Sequence, residues 1–457
     1  MLRRTSSFAS LSVLLVCAAC SSSSSSTPAP DNALSVAKSS VQRDAVAALP
    51  ANAATVAATA NNAFAVDLYG KVLAASTAGS NVVTSPISAS LALTMTYAGA
   101  KGDTATQMAS VLHVDSAAGS LFDGQNALTA ALASRAATAL AADQKTATEN
   151  GDAAPASDDY VLQVVNSVWG QQTYPWATPF LDTLARSYGA GVYLEDFVHD
   201  AEPARSAIND WVSTQTDDKI TDLLPEGSID DSTRLVLVNA IHLKLPWATP
   251  FQVSATAPAT FTKADGSTVS TPFMNQGGAL PYVDDGQAQI VGLPLSGGQL
   301  EVVIALPHGD LATYEAALSA GSAALTPPAP TALVALSVPK FDFTSATFSL
   351  AKALQALGMT DAFSPSTSDF TGMCATTPDG DKLYISDVLQ KATVAMAENG
   401  VEAAAATAVI TSGAAIAEPT PTPVTVNHPF LFSIVDVPTG AVLFLGHIED
   451  PSATTGN

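Results

Sequence analysis

The spacing of apolar residues changes along this chain, and the changes mark out its elements. Over residues 53–75 an alanine-rich stretch sets Phe64, Val66, Leu68, Tyr69 and Leu73 on one apolar face, which predicts a helix. Ser85-Pro86 opens a second helix, with the serine at the N-cap and the proline in the first turn. Leu91, Met95 and Ala98 continue it to Gly99. A third helical block ends near residue 142, and the acidic, small residues of 143–159 read as a surface loop. Strand patterns then dominate. Residues 160–169 form one, and 234–241 are so nearly all apolar that they predict a strand buried on both faces. Residues 300–306 and 332–338 follow, then a helix over 350–357 closed by Gly358. Strands over 430–437 and 441–448 turn at Thr439-Gly440. Helices first and strands interleaved later predict one α+β domain over residues 51–452.

Composition supports a large core: of 457 residues, 47% are hydrophobic and only 13% charged. Lys and Arg total 18 against 41 Asp and Glu, a net charge of -23. A basic face for nucleic acid is thereby excluded, as is attraction to an anionic lipid surface. The first residues read as an address. Arg3 and Arg4 precede an apolar run over 8–19 that is too short to span a bilayer. Cys17-Ala18-Ala19-Cys20 resembles a bacterial lipoprotein cleavage box with Cys20 as the lipidated residue, although Cys17 stands where such boxes usually hold leucine. Residues 1–19 are therefore expected to be a signal peptide and 20–50 a flexible Ser/Ala/Pro-rich tether. An extracytoplasmic monomer held at a membrane or cell surface by its lipid is expected, with plain secretion as the alternative. Cys374 is the one cysteine left in the body, so the fold stands without an internal disulfide.

Catalytic signatures are missing. No HExxH, CxxC pair, glycine-rich phosphate loop or GxSxG elbow occurs. His113, His199, His242, His308, His428 and His447 are scattered without an i, i+4 pair. No metal or other cofactor is expected, and each histidine reads as a surface or hydrogen-bonded one. Two Ser-x-x-Lys stretches, at Ser35 and Lys38 and at Ser349 and Lys352, lack the Ser-Asp-Asn and Lys-Thr-Gly partners of an acyl-enzyme hydrolase. The chain is expected not to be an enzyme.

Residues 398–418 stand apart. Between Glu398 and Glu418 the one charge is Glu402, and proline is absent until 419, 421, 423 and 429. In a strand, Val401, Ala403, Ala405, Thr407 and Val409 make a small, almost apolar set able to face a core. Glu402, on the other face with Ala404 and Ala406, meets water. Every N–H is free for a ladder, and Gly400 supplies a hinge where the backbone can reverse. A plain alanine-rich linker or helix fits the same residues equally well.

Motifs elsewhere resolve the choice. Asn81-Val-Val-Thr-Ser85-Pro86-Ile-Ser88 is followed by Gly99-Ala100-Lys-Gly102-Asp-Thr104 and Gln107. Asn166, Phe180, Tyr188 and Asp196-Phe197 come next, then Ile208-Asn209-Asp-Trp211-Val212, Thr233 and Leu237-Val-Asn239-Ala240-Ile241. Val338-Pro339-Lys340-Phe341, Leu357-Gly358-Met359, Asp369-Phe370-Thr-Gly372, His428-Pro429-Phe430 and Leu443-Phe444-Leu445-Gly446 complete the series. In this order they resemble the serpins, serine protease inhibitors of the suicide type. The resemblance implies a metastable body of three sheets and about nine helices, with a reactive-centre loop over about residues 398–429. It implies that a target protease forms an acyl-enzyme with the loop, that the cut loop enters the large sheet, and that the ester is trapped.

The resemblance also implies residue roles. Glu398, Gly400, Val401, Glu402, Ala403, Ala404, Ala405 and Ala406 would form the hinge; Lys340 and Trp247 would stand where the loop enters; Ser85, Ser88, Asn239 and Gln390 would control sheet opening. The reactive bond would be Ala414-Ala415, within residues 412–416. Small residues there imply an elastase-like or subtilisin-like target rather than a trypsin-like one. Three positions depart from the family pattern: Gln390 replaces a histidine, Pro246 a glycine before Trp247, and Val401 a threonine. A non-inhibitory binding lipoprotein on the same fold is the alternative reading.

Overall fold

The computed structural model describes residues 34–114, 118–329, 331–402 and 420–456. Two hydrogen-bonded sheets, of ten and nine strands, pack with nine α-helices among these residues. Across the large sheet the strands run Ser35–Ala37, Val192–Glu195, Val161–Gln171, Leu235–Pro246, Gly400–Val401, Thr393–Ala397, Phe341–Ser345 and Thr455–Gly456. Where the resemblance implies three sheets, hydrogen bonding joins two of them. Strand Thr268–Asp284 is long enough to pair with Thr331–Pro339 through Phe273–Pro281 and then with Ala288–Pro294 through Tyr282–Asp284.

The all-apolar run is the central strand, Leu235–Pro246, and it is buried from Leu235 to Leu243. Helix Pro86–Tyr97 packs against it and is itself buried through Thr96, while helix Ala201–Gln215 packs on its neighbour Val161–Gln171. A strand covered on both faces loses the alternation that a half-exposed strand keeps. Helix Ala53–Ala75 has the bounds its apolar face predicts.

Other segments differ from expectation. Residues 143–150 are not loop but the end of helix Arg135–Asn150, which stops at left-handed Gly151. Alanine and an i, i+4 Lys145–Glu149 pair favour helix more than acidity disfavours it. Helices Thr178–Tyr188 and Ala201–Gln215 lie in a stretch read for strands; Phe180 with Leu184, and Ala204, Ile208 and Val212, carry a helical spacing within it.

The tether expected over 20–50 gives way to packed chain at residue 35, because the compact body starts at Ser35 rather than 51. Ser35–Ala37 pairs with Val192–Glu195. Ser39 Oγ donates to Asp182 Oδ1 at 2.5 Å, and Arg43 donates to Asn126 Oδ1 at 2.8 Å and Thr129 Oγ1 at 2.7 Å. At the opposite edge, Thr455–Gly456 pairs with Phe341–Ser345. Both edges of the large sheet are thus strands of only three and two residues, and short edge strands offer few unpaired ladder groups.

Candidate functional site

A seam runs down the middle of the large sheet. On its lower half, central-strand residues Val236 to Asn239 pair in parallel with Asp387–Gln390. On its upper half, Leu245 and Pro246 pair with Val401 and Gly400. Between them, residues 240–244 have no strand partner on that side among the described residues.

Four residues close the lower half. Gln390 Nε2 donates to Ser85 O at 2.8 Å and to Asn239 Oδ1 at 2.9 Å, while Gln390 Oε1 accepts from Ser85 N at 3.1 Å. Asn239 Nδ2 donates to Leu389 O at 3.0 Å. Ser85 Oγ lies 3.0 Å from Ser88 Oγ and donates to Leu443 O at 2.9 Å. Ser85 occupies the N-cap position of its helix, yet its side chain makes no cap bond; it is turned into this network instead. All four residues are buried. A glutamine supplies two donors and an acceptor at any pH, so Gln390 satisfies three groups, two on Ser85 and one on Asn239, without carrying charge.

The upper half is held differently. Lys340 Nζ donates to Glu398 Oε2 at 2.7 Å, and Thr256 Oγ1 donates to Glu398 Oε1 at 2.9 Å. Burial works against ionisation of Glu398, but Lys340 and Thr256 outweigh it and hold the carboxyl below its ordinary value. Trp247 grips the same turn: its Nε1 donates to Ala397 O at 2.8 Å and its backbone N to Asn399 O at 2.9 Å.

Two of the residues expected in the hinge lie within the sheet. Gly400–Val401 forms a short strand between Thr393–Ala397 and the central strand. Val401 is 1% exposed and packs in the core, on the face its alternation assigns to it. Gly400 does not reverse the chain as expected. It admits close approach, because a Cβ there would lie 2.1 Å from Leu245 O and 2.7 Å from the Pro246 Cα. Pro246, which cannot donate, stands where the central strand ends. The chain turns away one residue later, at Glu402, with φ 53°. Ala403, Ala404, Ala405, Ala406, Ala414, Ala415 and Cys20 lie outside the described residues.

One residue of this site escapes the sequence reading. His242, on the central strand, is buried and faces Glu402 Oε2 at 2.9 Å. Its signal was position: a histidine continuing an otherwise apolar strand. By contrast Ser349 belongs to no catalytic pair. Its Oγ donates to Asp387 Oδ1 at 2.5 Å and accepts from Ala351 N at 3.2 Å.

This arrangement defines a class: an α+β protein whose large sheet carries a seam, with the short strand Gly400–Val401 paired at its upper end. Residues 59–451 match the family described as serpin (serine protease inhibitor). The chain is 35% identical over 393 residues to a serpin-like protein of Thermococcus kodakarensis, covering 85% of this chain and 84% of that one. It is 32% identical over 405 residues to the human leukocyte elastase inhibitor, covering 86% of this chain and 99% of that protein. Among solved structures, the native thermophilic serpin tengpin superposes with a TM-score of 0.73 at 27% identity, covering 86% of this chain and 93% of that one. Maspin also gives 0.73, at 26% identity, with 87% and 100% covered. The chain belongs to the serpin family.

Proposed function

We propose that this serpin is an irreversible, suicide-type inhibitor of serine endopeptidases, with cysteine endopeptidases as a further target class. The observation that carries the reading is the hinge, already one strand-pair deep in the seam. After it come Ala403 to Ala406, small and free of proline, which keep every N–H and add little bulk to a strand position. A target serine attacks the carbonyl of Ala414 and releases the Ala415 amine. The new N-terminal segment then follows Val401 down the seam beside residues 240–244, carrying the acyl-enzyme with it. Small residues at the bond favour elastase-like or subtilisin-like enzymes, and the likeness to a leukocyte elastase inhibitor supports the first.

Incubation with elastase-, subtilisin- and trypsin-like proteases tests this. An SDS-stable adduct with one of the first two, and a released peptide starting at Ala415 by mass spectrometry, is the expected result. Cleaved serpin with no adduct and no rise in melting temperature would instead favour a binding role for the same fold.

The lipid address is part of the proposal. Arg3, Arg4, the apolar run and Cys20 support an acylated N-terminus outside the cytoplasm. Fatty-acid labelling that disappears in Cys20→Ser tests it.

A further inference from the structure

Strand Gly400–Val401 ends after two paired residues, and residues 240–244 below it have no strand partner on that side among the described residues. Val401 sits in the sheet, and Glu402 N still donates to Ala395 O at 3.0 Å. Glu402 itself then leaves the sheet in the left-handed region, at φ 53°. A non-glycine residue there is strained, so neighbouring contacts must hold it.

Those contacts come from two other parts of the chain. Glu402 Oε2 lies 2.9 Å from His242 Nε2 on the central strand. Glu402 Oε1 lies 3.6 Å from Lys219 Nζ, in the turn that follows helix Ala201–Gln215. That turn is also strained: Asp217 and Asp218 have φ of 49° and 60°. The carboxylate is 8% exposed and the imidazole 5%. His242 Nδ1 has no hydrogen-bond partner, and its nearest carboxylate is Asp217 Oδ2 at 3.9 Å. Across the ladder His242 faces neutral Gln163, whose Oε1 is also unpartnered. Lys244, two residues along the same strand, is occupied by Asp159 at 2.8 Å.

Further insertion requires Glu402 to adopt extended backbone and to leave both partners. We propose that Glu402, His242 and Lys219 form a polar stop that arrests the uncut loop after Val401. His242 Nε2 reaches the carboxylate from the central strand and Lys219 Nζ from the turn, so removing either contact frees the hinge to move. A loop held back in this way stays available as bait and does not bury itself before a protease arrives. The inference rests on the reading that the loop inserts.

The full-length, uncut protein is incubated with an acetylated peptide copying residues 401–414, and incorporation is followed on native gels. The peptide occupies the seam only when the hinge moves. Glu402→Gln and the surface variant Lys219→Met are expected to take up peptide about fivefold faster than wild type, and His242→Gln to be faster as well. No acceleration in both Glu402→Gln and Lys219→Met overturns the stop alone. No uptake by any form, with no rise in melting temperature on cleavage, overturns both the stop and the insertion reading beneath it.

Discussion

The two halves of the seam are closed by opposite chemistry. Below, Ser85, Ser88, Asn239 and Gln390 are neutral and buried, and their bonds are directional. Above, Glu398, Lys340, Glu402, His242 and Lys219 are charged or titratable, and Lys340 and Lys219 reach solvent. A neutral network is indifferent to salt and to pH near neutrality, and it fails only when a member is left unpaired. An ion pair near the surface is weaker and adjustable. Under the proposed function the lower half is a fixed seal and the upper half a gate whose strength responds to conditions. That is the order an inserting strand needs, because it meets the upper half first.

The largest effect is expected from breaking the seal. Gln390→Leu strands the Ser85 N–H and the Asn239 amide oxygen in a buried site. A loss of about 3 kcal/mol in urea unfolding is expected, unchanged by salt. Lys340→Ala attacks the gate instead and is expected to lose about 1–2 kcal/mol, since Glu398 is left partly buried without its cation. Because the folded state holds the Glu398 carboxyl below its ordinary value, its contribution is full above the unfolded value. It is lost as pH falls through the lowered one. The gap between wild type and Lys340→Ala should thus shrink toward acid pH and at 1 M salt, which has a Debye length of about 3 Å. A gap for Lys340→Ala that ignores salt would erase the distinction between seal and gate.

Glu301 shows what a buried carboxyl does without a cation. Its Oε1 has no partner, and burial pushes its pKa up to about 7. The sign is opposite to that of Glu398: stability is full below the unfolded value and is lost as pH rises through about 7. Glu301→Gln is expected to be neutral at pH 5 and about 1 kcal/mol more stable than wild type at pH 8, measured by thermal melts at both. The smallest effect concerns the sheet's edge. Deleting residues 453–457 is expected to change the melting temperature by only about 1–2 °C. It uncovers the ladder groups of Thr344 and Ser345, so concentration-dependent association on size exclusion is the expected readout.

Much of this was legible in the residues. The central strand, the strands near the C-terminus and helix Ala53–Ala75 follow from local spacing, because burial repeats with the period of the element. Helix Arg135–Asn150 was half missed because acidity was given more weight than alanine content. The packing of residues 35–49 was missed because short polar segments carry no period; their order comes from Asp182, Asn126 and Thr129, all distant in sequence. Val401 shows the alternation at work, since its burial is what a strand starting there requires.

By itself the sequence determined that a charge-poor, proline-free segment follows Glu398 and that its side chains are small enough to enter a packed sheet. Those are properties of composition and of a period of two, and they need no partner. Only the tertiary structure decided what meets the first residues of that segment. Gly400 matters for the backbone of Leu245 that it nearly touches, and Glu402 is held by a histidine 160 residues away. A stopping point is a balance between strain at one residue and charges brought to it by other strands, and no local pattern records where those charges will stand.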